Sequence, residues 1–113
     1  MSHSVLVVED YADLRSAIVE TLARHELACE TAQTAEDAIG KLRLHHYEAI
    51  LLAPRLPIKT DPVMQFLTAT QPGELHKVIL MTAPELEDDT NPDDCRVLRK
   101  PFNGEQLFAE VIA

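Results

Sequence analysis

Three groups of reactive side chains each follow a short apolar run: the acid pair Glu9-Asp10 after VLVV, the Thr82 hydroxyl after VILM, and the Lys100 ammonium after RVLR. A fourth run, AILL at 49–52, ends in Ala53 and leads into a proline-bounded loop, PRLP. Adjacent carboxylates are oxygen ligands suited to a small divalent cation. A hydroxyl and an ammonium are donors to an anion. A methyl group does neither. If the four runs are parallel strands, their carboxyl ends share one edge, where ligands bind in open α/β sheets. The set then has a gap at Ala53, whose methyl group offers that edge neither an oxygen nor a donor.

Strand-like and helix-like segments alternate along the chain, which predicts a parallel sheet covered on both faces. Val5–Val8, Ala28–Ala32, Ala49–Leu52, Val78–Met81 and Arg96–Leu98 read as strands, the second weaker than the first. Leu14, Ile18 and Leu22 recur at helical spacing and predict a helix over about Ala12–His25. Thr34, with Asp37 three residues on, reads as the N-cap of a helix ending near Leu44. Pro62 suits the first position of a third helix, and Asn103 suits the cap of a last one bearing Leu107, Phe108 and Val111. Between Thr82 and Lys100, Pro84 and Pro92 bracket Glu85, Glu87, Asp88, Asp89, Asp93 and Asp94. Proline restriction and like-charge repulsion oppose a long helix there, so a loop or a short helical turn is expected.

The chain is read as one domain, residues 1–113. A formal charge of −9 excludes the large basic face that nucleic acid requires, and it disfavours an anionic membrane. The apolar runs are too short to span a bilayer, and the N-terminus does not read as a signal peptide. Cys29 and Cys95, without CxxC spacing, read as a core residue and a loop thiol in a cytoplasmic protein. The three glycines form neither GxGxxG nor a phosphate-binding loop, and no serine sits in a nucleophile elbow. No catalysis is expected. Asp89, Asn91 and Asp93 imitate the start of a calcium loop, but Asp94 stands where glycine is required.

VLVVED, ILLAPRLP, ILMTA and LRKPF, in this order and at these separations, together resemble the receiver domain of bacterial two-component response regulators, the CheY-like family. The resemblance covers essentially the whole chain. It implies a flavodoxin-like fold with strand order 2-1-3-4-5, here with the fourth helix shortened or replaced by the acidic loop. It also implies a phosphorelay role: an acid pair holds Mg²⁺, a strand-three aspartate accepts phosphate from a histidine kinase, and a Thr/Ser and a Lys contact the phosphoryl oxygens. Glu9 and Asp10 match the acid pair, Thr82 the hydroxyl, Lys100 the lysine and Arg55 a backbone-carbonyl ligand. The resemblance implies a cis Lys100–Pro101 peptide as well.

Two departures set the expectation. Ala53 stands at the phosphoacceptor position, and Val97 stands where an aromatic switch residue is common in the family. A methyl group has no lone pair with which to attack phosphorus. The loss of that carboxylate also removes a metal ligand, so Mg²⁺ binding is expected to be weak or absent, with Lys100 turning to Glu9 or Asp10 instead. Thr82 is expected to bond backbone. The expectation is therefore a pseudo-receiver, a phosphorylation-independent protein-interaction module. Its partner would be a histidine kinase, another receiver or an effector domain, and a homodimer is compatible with it. Docking would use strand five, the last helix and the acidic 85–94 segment. The alternative is a conventional receiver carrying an engineered Asp-to-Ala change at 53. Asp61, the nearest spare acid, is expected outside the pocket.

Overall fold

The computed structural model describes residues 4–54, 58–82 and 95–113, with backbone alone for Lys59. Strands β1 (Ser4–Val8), β2 (Ala28–Ala32), β3 (Ala49–Leu52), β4 (Val78–Thr82) and β5 (Arg96–Arg99) alternate with helices α1 (Ala12–Arg24), α2 (Ala35–Leu44), α3 (Pro62–Thr70) and α4 (Gly104–Ile112). The strands form one parallel sheet in the order β2-β1-β3-β4-β5. The flavodoxin-like expectation is met. The expected acidic loop, including Glu85, Glu87, Asp88, Asp89, Asp93 and Asp94, falls on 83–94, outside the described residues, as does Arg55.

Strand alternation divides the apolar residues between two layers. Leu6, Ile50, Leu52 and Leu80 point to one face and pack with Ala38 and Leu42 of α2 and Val63, Met64 and Leu67 of α3. Val5, Val7, Leu51, Ile79 and Met81 point to the other face and pack with Ile18 and Leu22 of α1 and Leu107 of α4. The expected α1 stripe thus delivers Ile18 and Leu22 to the core, with Leu14 partly buried. At the α1–α4 seam a side chain on Gly104 would approach the Thr21 methyl to 3.2 Å, a contact tight enough that Thr21 would have to give by a few tenths of an ångström.

Three helices start with a side-chain cap. Thr34 Oγ1 accepts from Asp37 N at 3.1 Å, and Asp61 Oδ1 accepts from Val63 N and Met64 N at 2.9 and 3.1 Å, with Pro62 opening α3. Asn103 and Gln106 bond each other's backbone at 2.8 and 2.9 Å, a complete capping box. Asn103→Ala should lower unfolding free energy by about 1 kcal/mol in urea denaturation, with an unchanged m-value.

The structure corrects two local readings. Cys95 is a buried core residue bonded through its thiol to the Leu75 carbonyl at 3.5 Å, while Cys29 is half-buried on the edge strand. A 3-10 helix, Pro72–Lys77, occupies a stretch to which no element was assigned. Proline at its start and the buried Leu75 within it account for a short turn docked on the core.

Tyr47, also in the core, is only 2% exposed, and its hydroxyl lacks a partner of hydrogen-bond geometry among the described residues. Burial, and then the charge of Glu30, push this phenol up to about 12. The folded state therefore holds the phenolic proton more tightly than the unfolded chain does. Stability linked to Tyr47 is complete below pH 10 and is lost as pH rises towards 12. Tyr47→Phe should leave stability near neutrality almost unchanged and flatten the loss between those values, read by circular dichroism melts across the range.

Candidate functional site

The site is built from strand ends tied to one another by backbone bonds. Glu9 N donates to Ala32 O at 3.1 Å, Ala53 N to Val8 O at 2.9 Å, and Lys100 N to Thr82 O at 2.6 Å. These bonds continue the sheet one residue past its strands and fix where Glu9, Ala53 and Lys100 begin. The Lys100–Pro101 peptide is cis.

A cavity of about 200 Å³ opens at this edge, lined among others by Glu9, Asp10, Thr34, Ala53, Asp61 and Lys100. Glu9 is 3% exposed and fully engaged: Oε1 accepts from Tyr11 N at 3.1 Å, and Oε2 lies 3.4 Å from Lys100 Nζ. Burying a carboxylate is costly unless it is paired and bonded, and this one has both an ammonium and an amide. Lys100 thus links the end of β5 to the end of β1, in the cavity that Ala53 also lines.

Arg15, one turn into α1, reaches back over the same loop. Its Nη1 donates to Glu9 O at 2.9 Å and approaches Asp10 O at 3.5 Å. The carboxylate of Asp10 is exposed. Thr82 is 3% exposed, and its Oγ1 makes the expected backbone bond to none of the described residues. Val97 is half-buried against the α2–α3 side of the core.

The cavity gathers Glu9, Asp10, Ala53 and Lys100; Thr82 stands behind it and is not part of its wall. Asp61, expected outside, is a correction: it is 3% exposed and lines the cavity, because its capping role brings the start of α3 to the sheet edge. The Asp-Pro pair was the signal for that, since proline at the first helical position puts the preceding residue at the cap. Arg15 was missed, and its place one helical turn beyond the acid pair was the only cue.

The residues present fit a divalent cation poorly. Asp61 Oδ1 is committed to two amides, Glu9 to Lys100 and Tyr11, and Ala53 offers no oxygen. No group of three His, Cys, Asp or Glu among the described residues could hold a metal ion. No helix among them is long and apolar enough to cross a membrane.

No protein-family model matches the chain. The transcriptional regulatory protein PmrA of Pectobacterium parmentieri is 30% identical over 116 aligned residues, covering 96% of this chain and 50% of that protein. The chain therefore spans about half the length of that relative. Among solved structures, the receiver domain of the Pseudomonas aeruginosa sensor histidine kinase PA1611, which holds magnesium in its active-site cleft, superposes with a TM-score of 0.80 at 23% identity, covering 98% of this chain and 95% of that one. The response regulator TrrA of Thermotoga maritima, solved with Mg²⁺ and BeF, gives 0.79 at 23% identity and covers 99% and 97%. The chemotaxis response regulator CheY4 of Vibrio cholerae gives 0.75 at 22%, covering 99% and 98%. The sheet order, the helices on both faces and these superpositions agree: the fold of this chain is that of the CheY-like receiver domains of response regulators.

Proposed function

We propose that the chain is a pseudo-receiver, a phosphorylation-independent protein-interaction module in two-component-type signalling, without catalysis of its own. The observation that carries this reading is the pairing of Lys100 Nζ with Glu9 Oε2 at 3.4 Å in the cavity that Ala53 lines. Phosphoryl acceptance needs a nucleophilic oxygen at the end of β3, and that position has none. An internal ammonium neutralises the buried acid instead, so the edge carries one standing charge arrangement. A signal passed by such a domain depends on its surface, and Val97 in place of an aromatic ring is consistent with a fixed β5–α4 face. Its partner on that face would be a histidine kinase, a second receiver or an effector domain.

Incubation with a small-molecule phosphodonor and Mg²⁺, followed by intact mass, tests this. An unchanged mass is expected, and a stable gain of one phosphoryl group would overturn the reading. The second reading, a conventional receiver carrying an engineered Asp-to-Ala change at 53, draws on the buried Thr82 hydroxyl, which has no partner among the described residues.

A further inference from the structure

The helices of this sheet all run the same way, so every helix-to-strand connection lies on the edge opposite the cavity. All four described histidines sit there, exposed: His25 after α1, His45 and His46 after α2, and His76 before β4. Helix C-termini favour cations, which accounts for their placement one by one. Their sum has a consequence beyond that. Among the described side chains of this edge the cations Arg24, Arg43, Lys77 and Arg96 are matched by Glu26, Glu48, Glu74 and Glu110, so the imidazoles tip their balance.

The cavity edge has the contrary balance. Its exposed carboxylates Asp10, Asp13, Glu36, Asp37 and Glu105 outnumber Arg15, Lys41, Arg99 and Lys100; Lys41 is held by Asp37 and the Thr31 carbonyl, and Arg15 is turned inward onto the Glu9 and Asp10 carbonyls. We propose that the histidine edge docks the acidic edge of a second copy of this chain when its imidazoles are protonated. Such a contact joins two different surfaces, so it does not close on itself as a two-fold dimer does. Opposed charges on the two edges orient the encounter, as complementary fields do in association.

Each imidazole has its own set of neighbours. His46 Nδ1 lies 3.0 Å from Glu74 Oε1, whose other oxygen holds Lys77 Nζ at 2.7 Å. His76 shares a cavity of about 460 Å³ with Glu48, Lys77 and Arg96, and Arg96 is itself paired with Glu110. His25 is stacked on Phe108 at 3.9 Å between ring centres, with Arg24 and Glu26 beside it in the chain; an aromatic face tolerates a cation. His45 meets the Tyr47 ring edge-on, beside Arg43.

Sedimentation velocity on the whole chain tests the proposal at about pH 7.5 and about pH 5.5, values that bracket ordinary histidine titration. The expected result is a monomer at the higher pH. At the lower pH, mass should grow with concentration and collapse at about 0.5 M salt, where exposed charges are screened. His45→Gln/His46→Gln/His76→Gln should suppress the growth. Because acid also brings the chain towards its pI of about 4.8, Asp13→Asn/Glu36→Gln separates docking from non-specific association. That variant is closer to neutral, so non-specific clumping would strengthen, whereas docking requires it to weaken at least several-fold, with circular dichroism confirming an intact fold. Association that strengthens in this variant, that ignores pH, or that is absent at both pH values would overturn the proposal.

Discussion

Ala53→Asp should convert the chain from one that gains no mass with a phosphodonor and Mg²⁺ to one that gains a single phosphoryl group. The new carboxylate would stand at the end of β3, in the cavity shared with Glu9, Asp10 and Lys100. Its oxygen can attack phosphorus; a P–O bond forms, and the bond from phosphorus to the donor breaks, its electron pair leaving with the donor. The same substitution adds an oxygen ligand beside Glu9 and Asp10 and offers Lys100 a second carboxylate. Saturable Mg²⁺ binding on the order of millimolar is expected in the variant alone, measured by calorimetric titration. If the unsubstituted chain takes up phosphate or Mg²⁺ equally well, Ala53 is not what silences the site. Should the variant bind Mg²⁺ and yet stay unphosphorylated, the pocket lacks more than an acceptor, and the Thr82 hydroxyl behind its wall is the first group to suspect.

The second large effect is on stability. Lys100→Ala should cost roughly 2 kcal/mol, because it strips the ammonium from a carboxylate that is 3% exposed. The figure sits below that for a fully buried pair, since the Lys100 side chain is 31% exposed and the Tyr11 amide still bonds Glu9. Glu9→Gln in the same background should restore most of the loss, as a neutral amide needs no counter-ion. Urea denaturation of the two single variants and the double variant measures the coupling. Additive effects would show that Lys100 and Glu9 do not act as a pair, and the internal-cation account of the site would fall with them.

The legibility of this chain differs from part to part for physical reasons. Apolar runs and helical spacing made the strands, the helices and a sheet covered on both faces legible, because burial demands those patterns at each step, while the strand order came from the resemblance to receiver domains. Thr34, Pro62 and Asn103 announced their helices, since caps are local chemistry. The acid pair, Ala53 and Lys100 were readable as strand-end residues, and the fold brings them to one cavity. The contacts made across elements were not. Asp61 enters the cavity only because α3 starts against the sheet edge, and Arg15 reaches the Glu9 carbonyl only because α1 lies back over the loop that precedes it. Cys95 looked like a loop residue by its acidic neighbours, yet one residue separates that run from β5. Tertiary placement decides such cases, and spacing along the chain does not carry it.

The strand order has one more outcome. β1, β3 and β4 each have a neighbour on both sides, while β2 and β5 each have one. In deuterated solvent, amides of the three inner strands should exchange last and together, by whole-molecule opening, with those on the outer margins of the sheet released earlier through local fraying. Position 53 is anchored to the slow set through its amide on Val8. A strand end held in the least yielding part of the molecule would keep its shape through every fluctuation that loosens the rim.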